Sequence, residues 1–256
     1  MAGYRDWIDK ERLTEILRDL VRIPSVNPGF PDGHGEAEVA RYVKSFFEEL
    51  GLKAEMQPVE AGRDNVIGTL PGAGDAHLLL EAHMDTVQTA GMSVDPFGAA
   101  VKDGRLYGRG ACDTKASLAA MLAAVETLAR RGAVPAANVH VAAVVDEEIM
   151  YRGVAKLAEH IEGGRLRYDA AIVGEPTNLN VIVAHKGVVR CHIDVHGVAA
   201  HSSTPESGVN AIEHMAELVL YLKRMAQTEL PAMLHPLTGA PTLCISMIQG
   251  ASLRTR

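Results

Sequence analysis

The chain has 256 residues, 47% apolar and 22% charged, with a formal net charge of −7. That balance fits a globular α/β protein of one large domain or one large and one smaller, and without a surplus of Lys and Arg it excludes an electrostatic nucleic-acid binder. No apolar run is long enough to span a bilayer, the N-terminal "MAGYRDWIDKERLTEIL" lacks the apolar core of a signal peptide, and Cys112, Cys191 and Cys244 form no CxxC pair, so the expectation is a cytoplasmic protein with reduced thiols and no membrane partner.

Taken in chain order, residues 8–22 carry apolar side chains at helical spacing (Ile8, Leu13, Ile16, Leu17, Leu20, Val21), and "IPSVNPGFPDGHG" then breaks the pattern into a loop. A second amphipathic helix is expected over about 36–50, stopped by Gly51. The runs "LKAEMQPV", "NVIGTLPG" and "HLLLEAH" read as strands, and "VKDGRLYGRG" as a hairpin around its Asp-Gly pair. "TKASLAAMLAAVETLARRG" is an Ala/Leu-rich helix ending at Gly132, "NVHVAAVV" a buried strand, "GVAKLAEHI" a helix and "YDAAIVGE" another buried strand. Strands alternating with helices predict a mostly parallel sheet flanked by helices on both sides. After Pro176 the texture changes: "VVRCHIDVHG" alternates like a half-exposed strand, "SGVNAIEHMAELVLYLKRM" reads as a helix capped by Ser207 or a neighbour, and "PTLCISMIQG" as a further strand. This predicts a catalytic domain over 1–182 and a smaller α/β unit over 183–256.

In open α/β sheets chemistry collects at the carboxyl ends of the strands. Here those ends deliver His83 and Asp85, then Asp113 in a glycine-rich loop before a helix, then Asp146, Glu147 and Glu148, then Glu175. Each alone has a plain structural reading; Asp113, for example, could simply cap the helix that follows. Together they are harder to dismiss, because packing so many carboxylates without a cation costs several kcal/mol of repulsion and desolvation. One imidazole with several carboxylates suits Zn²⁺, Mn²⁺ or Co²⁺ rather than a thiolate-lined structural zinc. Adjacent Glu147 and Glu148 suggest a division of labour in which one ligates and the other takes a proton from the attacking water.

The segments "HMDT", "DPFGAAVKDGRLYGRGACDTKASLAAML", "VVDEE", "VGEPT", "AHKG" and "VHGVAAHSSTPESGVNAIE" resemble the M20 family of metallopeptidases, in order from about residue 8 to residue 249. The likeness leans toward acetylornithine deacetylases and succinyl-diaminopimelate desuccinylases. It implies a metal-dependent amidohydrolase acting on an N-acylated amino acid or small peptide. It also implies two divalent ions, zinc first with cobalt or manganese as alternatives, and a homodimer made through the lid domain. Carried over by position, His83 and Glu175 would bind one ion, Asp113 would bridge both and Glu148 would bind the second. Glu147 would be the general base and Asp85 the carboxylate that orients His83. His201 would reach the neighbouring subunit's site and support the tetrahedral oxyanion, and Asn210 would help hold the substrate carboxylate. Lys186 and Gly187 fit the family's crossover into the lid and are given no chemistry.

The resemblance also implies one more ligand, a histidine from a returning C-terminal part of the catalytic domain that this sequence is expected to lack. The tail "ISMIQGASLRTR" departs from the family at Gly250–Ala251, and His235 in "MLHPLTG" reads as a lid-loop residue. The competing function class is therefore a truncated or degenerate non-catalytic paralogue that only binds ligand or partner.

Overall fold

The computed structural model describes residues 4–250. It divides into two compact units, Met1–Leu179 and Asn180–Arg256. In the first, helices α1 (Lys10–Arg22) and α2 (Ala37–Glu49) precede strands β1 (Lys53–Glu60), β2 (Arg63–Leu70) and β3 (His77–His83). A short antiparallel hairpin follows, β4 (Ala100–Lys102) with β5 (Arg105–Tyr107), and then α3 (Lys115–Arg130), β6 (Asn138–Val144), α4 (Arg152–Glu162) and β7 (Ala170–Val173).

The main sheet has the order β1-β2-β6-β3-β7. Strands β6, β3 and β7 run parallel, while β1–β2 and β2–β6 are antiparallel. The expected mostly parallel sheet flanked by helices is found, as a mixed sheet in which β2 runs against the other four strands. Apolar alternation reports which faces are buried but not strand direction, and the short turn between β1 and β2 makes antiparallel neighbours of them.

Period-2 alternation places a core on each face of this sheet. On β6, Val139, Val141 and Ala143 join Val66, Leu70 and Ala82 under α1, α2 and α3. Ala142 and Val144 point the other way, with Ile67 and Leu79, against Leu157 of α4. Each of the buried Val, Leu and Ile side chains contributes about 1.5–3 kcal/mol. Helix α1 begins where the Asp9 carboxylate accepts the backbone N–H groups of Glu11 and Arg12. Between Val66 and Leu70, Gly68 makes room for the Phe47 ring of α2; a Cβ there would stand 2.3 Å from Phe47 Cε2.

Residues 168–175 depart from expectation. Strand β7 forms, but all four residues are exposed, Ile172 at 55% and Val173 at 60%. Among the described residues it ends the strand order and pairs only with β3, and an apolar run alone cannot tell an edge strand from a central one.

In the second unit only the expected helix is realised, as α5 (Ala211–Thr228). Its cap is Asn210 rather than Ser207, with Asn210 Oδ1 accepting the Ile212 N–H at 3.0 Å. Residues 188–197 and 241–250 do not form strands, and among the described residues the backbone of this unit makes isolated antiparallel bridges at Val198 with Val209 and at His235 with Gly239. An alternating segment becomes a strand only when a partner supplies its ladder, and sequence pattern does not specify that partner. Residues 251–256, including Ala251 and "SLRTR", lie outside the described residues. Among the described residues, no helix is long and apolar enough to cross a membrane.

Candidate metal centre

Three parallel strands bring the chemistry to one edge. His83 ends β3 opposite Val144 of β6, so the Asp146–Glu148 turn emerges beside it; Val173 of β7 pairs with Glu81, which places Glu175 just beyond. The N-terminus of α3 supplies Asp113. The residue preceding this helix, Thr114, caps it without a side-chain bond. Asp113 is therefore not spent on capping, and its carboxylate turns to His83 instead.

His83 is 2% exposed and has two distinct sides. Its Nδ1 lies 2.9 Å from the backbone carbonyl of Asp85 and 3.5 Å from the Asp85 carboxylate. Its Nε2 stands 3.1 Å from Asp113 Oδ1, 3.9 Å from Glu175 Oε1 and 4.0 Å from Glu147 Oε2. Two groups of potential ligand atoms share this imidazole, His83–Asp113–Glu175 and His83–Glu147–Glu148, each with its atoms within 4.8 Å of one another. An Nδ1–H donated to the Asp85 carbonyl leaves the Nε2 lone pair facing three carboxylates. That arrangement is repulsive unless a proton or a cation lies between them, so the donor set fits a divalent ion.

The electrostatics carry the same signature. Burial alone would lower the His83 pKa, but hydrogen bonds to Asp113 and Asp85 and the charges of Asp85 and Glu147 push it up to about 11. Burial drives Glu148 up to about 7, assisted by the charges of Asp113, Glu147 and Asp85 against the pull of His83. Glu175 is raised by burial with Asp113 and Glu147 contributing. Glu81, buried two residues before His83, is raised by burial to about 7. A bound cation would reverse these carboxylate shifts.

The carboxylate of Asp85 faces the next loop more than it faces the imidazole. Its Oδ1 accepts the Glu147 N–H at 3.0 Å and its Oδ2 the Glu148 N–H at 3.1 Å. Burial pushes Asp85 up, yet His83 and Asn27 beside it hold its carboxyl below the usual range. Thr114 Oγ1 donates to the carbonyl of Gly174 at 2.7 Å, tying the Asp113 loop to the Glu175 strand end. The buried Lys115 ammonium donates to the carbonyls of Leu20 and Ile23 and fixes the start of α3 to the end of α1.

The structure thus brings together His83, Asp85, Asp113, Glu147, Glu148 and Glu175. His201 and Asn210 belong to the second unit. His201 is exposed, with Nδ1 2.7 Å from Ser203 Oγ, and Asn210 is engaged as the α5 cap and by donating to Glu213 at 2.9 Å. The sequence reading missed Asn27, Glu36, Arg63, Glu81, Thr114 and Lys115, all 8% exposed or less. Burial of a polar side chain is the signal that marks them, and it is visible only once the chain is folded.

Comparison with known proteins bears on the same residues. The model for peptidase family M20/M25/M40 matches residues 79–247. An acetylornithine deacetylase of Vibrio campbellii is 33% identical over 94% of this chain and 64% of its own length. A probable succinyl-diaminopimelate desuccinylase of Staphylococcus aureus is 30% identical over 91% of this chain and 56% of its own. The crystal structure of a tripeptidase from Staphylococcus aureus matches with a TM-score of 0.61 at 26% identity, over 83% of this chain and 56% of that one. The chain therefore spans about half the length of curated relatives that it matches, 56% in the case of the desuccinylase.

Proposed function

Because the chain belongs to peptidase family M20/M25/M40, we propose that it carries the catalytic half-site of a metal-dependent amidohydrolase acting on an N-acylated amino acid or a small peptide. One observation carries this reading: the buried His83 Nε2 is aimed at the carboxylates of Asp113, Glu147 and Glu175, all within 4.0 Å.

His83, Asp113 and Glu175 would hold one divalent ion, with Asp113 bridging to a second held by Glu148. The imidazole and carboxylate donors favour zinc, with cobalt or manganese compatible. Bound cations would supply the charge that acidifies water and polarises the amide carbonyl. Glu147 takes the proton from the attacking water and returns it to the amine nitrogen as the C–N bond breaks. The Asp85 carbonyl keeps the His83 ring oriented with Nε2 toward the cation site. His201 would reach the neighbouring subunit's site and support the oxyanion there. Asn210 would meet a substrate carboxylate only by giving up its capping bond or its bond to Glu213. Homodimerisation through 183–256 is part of the same proposal; exposed Val188, Val189 and Ile248 are apolar surface such a contact would bury. So is a cytoplasmic location, with which the free Cys112, Cys191 and Cys244 agree.

The test is a hydrolysis screen of N-acetyl, N-succinyl and dipeptide substrates with added Zn²⁺, Mn²⁺ or Co²⁺, with Glu147→Ala as control. The variant should lose roughly 10²–10⁴-fold in rate while still binding metal. Equal rates in variant and wild type would overturn the general-base assignment. Metal binding with no turnover on any substrate would return the non-catalytic reading.

A further inference from the structure

A chain of buried polar contacts runs behind the metal centre and ends on the two glutamates. Asn27 is 1% exposed and cannot touch a substrate. Its Nδ2 donates both hydrogens, one to Asp85 Oδ2 at 2.7 Å and one to Asp146 Oδ1 at 2.9 Å. Its Oδ1 accepts the Gly29 N–H at 3.0 Å, which fixes which end of the amide faces the carboxylates. Asp146 is anchored from the other side. Arg63 Nη2 donates to Asp146 Oδ1 at 3.1 Å, Arg63 Nε to Glu36 Oε2 at 2.9 Å, and the Asp146 N–H to Glu36 Oε1 at 3.2 Å.

The backbone shows what this anchoring accomplishes. Asp146 has φ of 67°, in the left-handed region that aspartate enters more readily than most non-glycine residues but that its anchored side chain and N–H fix here. The next two residues are Glu147 and Glu148, whose N–H groups both end on the Asp85 carboxylate. Asp85 and Asp146 are like charges on either side of this turn, and the neutral amide of Asn27 is the donor they share.

We propose that Asn27 is a positioning residue for Glu147 and Glu148: it clamps Asp85 to Asp146, and through Asp85 fixes the turn that aims the general base and the second-ion ligand. The inference rests on the functional reading above for what the two glutamates do, but the clamp itself is a statement about the turn. Arg63 and Glu36 hold the far end, so the path from the N-cap of α2 to Glu147 is Glu36, Arg63, Asp146, Asn27, Asp85.

The test uses the full chain with Asn27→Leu, which keeps bulk and removes both donors. Asn27→Ser serves if the leucine variant does not fold. Amide hydrogen exchange is followed residue by residue in the metal-free protein, and Co²⁺ is then titrated by its visible absorption. Exchange at the Glu147 and Glu148 amides should quicken by about tenfold or more, with the β6 amides of Val139–Val144 unchanged. Co²⁺ affinity should fall by roughly 10–100-fold. Unchanged exchange at those two amides in a folded variant overturns the proposal, as does an equal acceleration across β6, which marks a general loss of stability. If wild type binds no Co²⁺, the metal-hydrolase reading fails while the exchange result still decides the clamp. If Co²⁺ binds normally and exchange is unchanged, the clamp fails and that reading stands.

Discussion

His83 Nε2 lies 3.1 Å from Asp113 Oδ1, hydrogen-bond distance for a ring protonated at that nitrogen. With its pKa raised to about 11, the ring is charged at neutral pH. Its charged form stabilises the metal-free fold fully below pH 6.5, and that contribution is lost as pH rises through about 11. A cation entering the site must displace this proton and any held by Glu148, whose pKa is near 7. Zinc titrations at pH 7 in buffers of different ionisation enthalpy should therefore report about one to two protons released per chain. Affinity should tighten as pH rises from 6 to 8. A pH-independent affinity with no proton release would show that His83 is not the ligand.

Thr114→Val tests how the two outer carboxylates are held together. The Thr114 hydroxyl, fully buried, is the donor to the Gly174 carbonyl. Valine keeps the shape and leaves that carbonyl without this donor, at a cost of about 1–3 kcal/mol. Asp113 and Glu175 each sit one residue from an end of this bond, so metal affinity should fall about tenfold or more. A variant less stable in urea but unchanged in affinity would restrict the bond to folding.

Gly68→Ala addresses the packing under the site. The added methyl would meet the Phe47 ring at 2.3 Å, and overpacking of this kind costs about 1–3 kcal/mol. Combining it with Phe47→Leu should recover part of the loss, a coupling that a double-mutant cycle in urea measures directly. Strict additivity of the two losses would mean that the ring does not need the glycine.

The candidate ligand side chains are legible in the sequence because they follow apolar runs at consecutive strand ends, a local pattern. Their placement at one edge follows from β3, β6 and β7 being parallel, and that much the alternation of strands and helices implied. What the sequence concealed is nonlocal. Asn27 stands in "PSVNPG", which reads as a plain loop, and nothing nearby marks its partners, which lie 58 and 119 residues away. Asp85 was expected to orient His83 through its carboxylate, whereas its backbone carbonyl makes the shorter contact. A two-residue spacing places both groups on one face but does not say which atom turns inward. In the second unit, period-2 alternation predicted strands at 188–197 and 241–250 where the backbone forms none, because pairing is a property of the partner as much as of the segment.

At the opposite end of the sheet, His140 makes a pH-sensitive contribution independent of the metal centre. His140 Nε2 lies 2.9 Å from His77 Nδ1, and its own Nδ1 lies 3.1 Å from Thr69 Oγ1. Tyr168 packs edge-on to its ring, and Asp169 accepts the His77 N–H. Burial lowers the His140 pKa, and the charge of His77 adds to the effect. The unfolded chain takes up this proton near pH 6.5 while the folded chain resists it, so this contribution to stability is lost as pH falls below 6.5. Glu81 and Glu148, raised to about 7, act in the opposite sense, gaining stability as pH falls from 7 toward 4.5. The wild-type profile is therefore a sum, and the informative quantity is its difference from His140→Gln. Urea melts of the metal-free chain between pH 7.5 and 5.5 should show that wild type loses more stability on acidification, or gains less, than the variant. Parallel profiles would mean that the His140 ring accepts its proton as readily folded as unfolded.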